Sequence, residues 1–190
     1  MKVKNMLLWL TMLDFGHCIM KVGIYMDTDV EVLKNLDEFL KLKSFSGFES
    51  IDSIPTGIMG SEPKVKIFKE FLDYYENKGF ITKDGEMDTT TNVTTITNIM
   101  SNKGLNKNNQ LQTVEEFTLY PKEYFCPIEY STNKKNITQN TYTIHWFAGS
   151  WVPKKEKIRI RIYEFTKKML GEKLAKKCSN IIKGSKKNGK

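Results

Sequence analysis

A chain of 190 residues, 39% hydrophobic and 27% charged, fits about one domain, and its 11 Phe, 8 Tyr and 3 Trp supply large burial per residue that argues against wholesale disorder. No run approaches the roughly 18 apolar residues of a membrane span. Three scattered cysteines, Cys18, Cys126 and Cys178, argue against a disulfide framework and favour a reducing, cytoplasmic compartment.

The formal net charge is +8, and of 30 basic residues only Arg159 and Arg161 are arginine. Arginine makes the bidentate contacts that read guanine, so no specific nucleic-acid partner is expected. Codon bias in an AT-rich genome accounts for the lysine-rich usage equally well. Residues 154–190 carry 14 basic side chains against 3 acidic, and the chain before them 16 against 19. The positive balance therefore belongs to the C-terminal segment.

In chain order, Met6 to Leu13 is an apolar run behind Lys2 and Lys4. Asp14 ends it after eight residues, too soon for a convincing signal peptide. Gly23–Met26 reads as a short buried strand that runs into Asp27-Thr-Asp29. From Leu33 through Leu36, Phe39 and Leu40 the apolar spacing is helix-like. Phe45 to Phe48 is a second strand or turn. Ser61-Glu-Pro63 suggests a helix start, with Val65, Phe68, Leu72 and Tyr75 on one face and Gly79 as the stop. Asp84-Gly85 is a turn signal. Val93, Ile96, Ile99 and Met100 predict another helix closed by Gly104. Val114 to Tyr120 predicts one strand, stopped by Pro121. A polar turn over 133–139 leads to the strand Tyr142–Ile144, which delivers His145. Ile158, Ile162, Phe165, Met169 and Leu174 predict an amphipathic basic helix within 153–183, and residues 184–190 a disordered tail. Short strands alternating with helices suggest an α/β domain. Ligands of such sheets sit beyond strand carboxyl ends, where Asp27 and His145 are expected.

Three segments could carry chemistry. Asp27 and Asp29 are two carboxylates at i and i+2, on one side of an extended chain. A hard divalent cation, Mn²⁺ or Mg²⁺, would resolve their repulsion, although an acidic turn has the same residues. His145 to Trp151 holds one histidine, two tryptophans and a Gly-Ser pair. Its imidazole could complete a metal site; a buried aromatic cluster is the other reading. Asn92 follows three threonines as a helix N-cap, a position that also binds anions.

Together these pieces are more specific than any alone. Gly23-Ile-Tyr-Met-Asp-Thr-Asp-Val-Glu-Val-Leu-Lys-Asn-Leu-Asp37 resembles the D-x-D segment of glycosyltransferase family 32. That family includes capsular-polysaccharide glycosyltransferases and yeast mannosyltransferases, and is related to the sugar-transfer domain of large clostridial toxins. Gly47-Phe-Glu49, Thr91-Asn92, Tyr120 to Pro127, Thr138 to His145 and Ser150-Trp151 match in the same order. The resemblance covers about residues 23–151.

It implies a GT-A-like fold over 23–152, a nucleotide-diphosphate sugar donor, a divalent metal, and a glycan or lipid-linked acceptor. It makes Asp27 and Asp29 the catalytic pair, with Asp27 toward the ribose or sugar and Asp29 on the metal beside His145. Tyr25, Asp27, Asn92, Ser150 and Trp151 would contact the donor. Family members carry a first strand and a helix ahead of the D-x-D strand, which residues 1–22 lack. Plausible codons for Met1 to Val22, read one frame over, spell the missing helix and turn nearly intact. Residues 1–22 are therefore expected to be a frameshift product, leaving a sheet edge exposed. A different reading makes the chain a non-catalytic basic module that binds anionic membrane or nucleic acid through 154–190.

Overall fold

The computed structural model describes residues 23–54, 57–76, 90–130, 132–148 and, further on, 158, 159, 162, 163, 165–167, 169 and 171. The chain divides into two compact units. The first is Met1–Pro127 with Asn136–Trp146, and the second is Ile128–Lys135 with Phe147–Lys190.

The first unit is mixed α/β. Its strands are β1 (Gly23–Met26), β2 (Val30–Val32), β3 (Ser44–Gly47), β4 (Ile58–Ser61), β5 (Gln112–Val114), β6 (Phe117–Tyr120) and β7 (Thr143–His145). Its helices are α1 (Lys66–Glu76), α2 (Asn92–Asn102) and the single turn α3 (Lys122–Phe125), with a 3-10 turn at Asp37–Lys41. Five strands form one sheet in the order β1-β4-β3-β6-β5, and β2 pairs with β7 in a separate ribbon. β3 and β6 are parallel, and the other neighbours are antiparallel. β1, β3 and β6 thus run one way and end at the same edge of the sheet. Among the described residues β1 is an edge strand, hydrogen-bonded only to β4.

Strand alternation sends successive side chains to opposite faces, and each face has its own core. Met59 of β4, Phe117 and Leu119 of β6, and the helical Phe68, Phe71, Ile96 and Met100 fill one side. Ile58 of β4 and Phe45 of β3 meet Phe39 and Phe125 on the other. That second face is aromatic: Phe39 lies 5.1 Å from Phe45 and 5.0 Å from Phe125, ring centre to ring centre. Gly60 makes room for it. A Cβ there would fall 2.1 Å from Cε1 of Phe45.

Several predicted elements are corrected. The helix from Leu33 is absent; Leu33 and Lys34 instead donate backbone N–H groups to the carbonyl of Tyr142, prolonging the ribbon. Asn35 then accepts from the Asp37 N–H at 2.7 Å, a local turn that competes with helix, and only the 3-10 turn follows. Ser61 does not start a helix. It ends β4, paired with both Gly23 and Ser44, and α1 begins at Lys66. The strand predicted over 114–120 is a hairpin whose turn, Glu115-Glu116, has φ of 51° and 65°. Two-residue turns of this kind favour Asn-Gly, so Glu-Glu gave no signal. The cap of α2 is Thr91 rather than Asn92: its Oγ1 accepts the Thr94 N–H at 3.1 Å. The helix itself lies where it was expected, with Gly104 just beyond it at φ 100°.

In the second unit, Ile128 and Lys135 form an antiparallel bridge around a turn at Asn133. The described residues from 158 to 169 are helical. No helix among the described residues is long and apolar enough to cross a membrane. The predicted segment 1–22, the Asp84-Gly85 turn, Gly79 and the tail over 184–190 lie outside the described residues.

Candidate metal centre

β1 carries Tyr25 on the face that also bears Asp27, two residues on. The Tyr25 hydroxyl donates to Asp27 Oδ1 at 2.5 Å, a charge-assisted bond that orients the carboxylate. The Asp27 N–H donates to the carbonyl of Gly57 at 2.9 Å, and the Val30 N–H to the Asp27 carbonyl at 3.1 Å. The turn so formed carries Asp29 from the sheet into β2.

His145 arrives from the other end of the sequence. Its strand, β7, pairs with β2 so that Val30 opposes His145, and the Trp146 N–H donates to the Asp29 carbonyl at 3.0 Å. His145 Nε2 then stands 3.3 Å from Asp29 Oδ1 and 3.8 Å from Asp27 Oδ2. The His145 side chain is 13% exposed, Asp29 21% and Asp27 27%. His145 thus ends a strand of the two-stranded ribbon, not a strand of the main sheet as the sequence suggested.

Electrostatics suit a cation. Burial pushes the His145 pKa below its ordinary value, against the pull of Asp29 and Asp27; Lys122 adds to the lowering. The imidazole is therefore held neutral, the form that ligates metal. Burial raises the Asp27 pKa, while the Tyr25 hydrogen bond and His145 oppose the rise and Asp29 adds to it. Two carboxylates this close gain from a positive charge between them.

One ligand atom from each of Asp27, Asp29 and His145 can be chosen so that all lie within 4.8 Å of one another. Neighbouring ligands of an ion bound at about 2.1 Å are roughly 3 Å apart, so small side-chain adjustments suffice. Two hard oxygens and one neutral nitrogen could hold Mn²⁺ or Mg²⁺. Asp27, which the sequence pairs with Asp29 as a cation site, lies within reach of the same ion as Asp29 and His145.

Of the sequence-predicted residues, Tyr25, Asp27, Asp29 and His145 come together. Asn92 opens α2, where its Oδ1 accepts the Val93 N–H at 3.1 Å. Ser150 and Trp151 lie outside the described residues. Sequence reasoning passed over Trp146, whose indole donates to Glu31 Oε2 at 2.8 Å across the ribbon. It also passed over Lys122, which follows β6 at the same sheet edge as Asp27 and whose ammonium caps the carbonyl of Glu49. The Trp146 signal was visible in the aromatic run after His145; Lys122 had none among so many lysines.

Comparison of the chain with protein-family models, with curated proteins and with solved structures finds no match.

Proposed function

We propose that the chain is a metal-assisted glycosyltransferase, or part of one, that moves a sugar from a nucleotide-diphosphate donor to a glycan or lipid-linked acceptor. The observation that carries this reading is the convergence of Asp27, Asp29 and His145, which are 118 residues apart at their extremes, at the end of a strand of an α/β sheet. The D-x-D resemblance, which includes the same two aspartates, supports it.

In this reading Asp27, Asp29 and His145 hold Mn²⁺ or Mg²⁺, which when bound supplies Lewis-acid stabilisation of a leaving diphosphate. Tyr25 fixes the rotamer of Asp27 by hydrogen bonding. Burial keeps His145 neutral and ready to ligate. The β2–β7 ladder sets the distance between Asp29 and His145.

The test is Mn²⁺ binding by calorimetry to the full chain, to Asp29→Ala and to His145→Ala, with release of nucleoside diphosphate from a panel of nucleotide sugars as the second readout. Each substitution is expected to weaken Mn²⁺ binding by roughly 10-fold or more. Unchanged affinity in both variants overturns the site, and Mn²⁺-independent turnover overturns the chemistry.

A second reading concerns the C-terminal segment. Ile158, Ile162, Phe165 and Met169 recur at the spacing of one helix face and are all exposed. With 14 basic residues over 154–190, such a face would suit an anionic bilayer surface, where a lipid-linked acceptor would also reside. Flotation with anionic but not neutral vesicles, lost on deletion of 154–190, is the expected result; equal behaviour in both vesicles sinks it.

A further inference from the structure

The imidazole of His145 is held from two sides. Nε2 faces the carboxylates. Nδ1 and Cε1 of the same ring lie against Gly57. A Cβ built on Gly57 would sit 2.8 Å from Nδ1, 3.0 Å from Cε1 and 3.3 Å from Cγ. Real Cβ atoms essentially never approach within 3.0 Å, so the ring and a side chain at 57 exclude one another. With the side chain only 13% exposed, the imidazole has little open space to move into.

Gly57 has a second role through its backbone. β1 and β4 pair up to Met26 and Ile58, and the next pair along the ladder is Asp27 and Gly57, whose carbonyl accepts the Asp27 N–H. One residue thus seats the histidine and anchors the backbone of the first aspartate. Its φ lies outside the left-handed region that favours glycine. The requirement for glycine here is therefore steric.

We propose that Gly57 is a positioning residue of the metal centre: its missing side chain is the seat of the His145 imidazole, and its carbonyl fixes Asp27. This rests on the metal reading above. No sequence pattern announces it, since Gly57 stands about 30 residues from Asp27 and 88 from His145 in the chain.

The experiment is a double-mutant cycle on the full chain with Gly57→Ala, His145→Asp and the pair combined. Aspartate is a shorter ligand that leaves the seat clear. Mn²⁺ affinity is measured by calorimetry, stability by thermal melting, and the His145 ring by its ¹H–¹³C signals without metal. With His145 in place, Gly57→Ala is expected to weaken Mn²⁺ binding roughly 10- to 100-fold. Added to His145→Asp, the same change is expected to cost less than about threefold. Equal losses in both backgrounds, or none in the first, overturn the proposal. Should Gly57→Ala melt early, the combined variant is expected to recover the melting temperature; no recovery overturns it as well. If the unsubstituted chain binds no Mn²⁺, the metal reading fails. The seat is then judged from the ring signals alone, which Gly57→Ala must move for it to stand.

Discussion

The five-stranded sheet and the β2–β7 ribbon share the centre between them, yet they are built very differently. The sheet is covered on both faces, and its central strands β3 and β4 are buried at every position. The ribbon has three residues per strand, and Glu31 and Val32 of β2 are exposed. Asp27 leaves the sheet, whereas Asp29 and His145 belong to the turn and the ribbon. A site assembled this way takes its first carboxylate from the end of β1, a partly buried strand at the edge of the sheet among the described residues. Its other two ligands come from a small element that a two-stranded pairing alone would hold only marginally. The difference teaches that ligand geometry here depends on short-range ties: the Asp29–Trp146 backbone bond, the Trp146–Glu31 side-chain bond and the seat at Gly57.

Substitutions in the sheet should hurt most. Phe117 is fully buried between the rings of Phe68 and Phe71, so Phe117→Ala should cost about 3–5 kcal/mol in denaturant unfolding. Val32→Ala in the ribbon, at 47% exposure, should stay within about 0.5 kcal/mol. Equal effects would erase the contrast. Gly60→Ala comes next. The Phe45 ring leaves no room for a Cβ, and overpacking of this kind costs about 1–3 kcal/mol, again read from denaturant midpoints.

The site itself should show the opposite behaviour. Asp29→Asn removes one of two repelling carboxylates, so without metal it should leave stability unchanged or slightly raised, while Mn²⁺ binding is lost. A clear loss of metal-free stability would mean that Asp29 is structural.

The pH dependence sharpens the same point. The folded pKa of His145 is lowered. Below about pH 6.5 the unfolded chain therefore takes up a proton that the folded chain refuses. Stability from this residue is intact above that value and falls as pH drops toward the lowered folded value. Asp27 works in the reverse sense. Its raised pKa opposes folding at pH values above the ordinary carboxylate range, and protonation on acidification relieves that opposition. The expected profile is a decline on leaving neutral pH that His145→Ala flattens. A decline of unchanged slope in that variant would assign it elsewhere. The smallest effect is expected from Glu31→Gln, which weakens the tie to Trp146 by under about 1 kcal/mol, measured by melting temperature.

How much was legible beforehand varies with how local the cause is. The spacing of Ile96 and Met100 predicts α2 correctly, because an amphipathic face is written in consecutive residues. The Leu33 to Leu40 run has similar spacing, yet Tyr142 captures its backbone from 108 to 109 residues away. The hairpin at Glu115-Glu116 escaped because its residues are poor turn formers held in place by the β5–β6 ladder. Cap position at α2 was missed by one residue, since both Thr91 and Asn92 have the side-chain oxygen the cap needs.

By itself the sequence determined the α/β class, the strand that carries Asp27, and the chemical types able to bind a cation, since these follow from local periodicity and functional groups. Only the tertiary structure decided that His145 meets Asp29 through a separate ribbon and that the imidazole leans on Gly57. Those facts depend on strand pairing and close packing between segments far apart in the chain, and neither leaves a trace in local residue order.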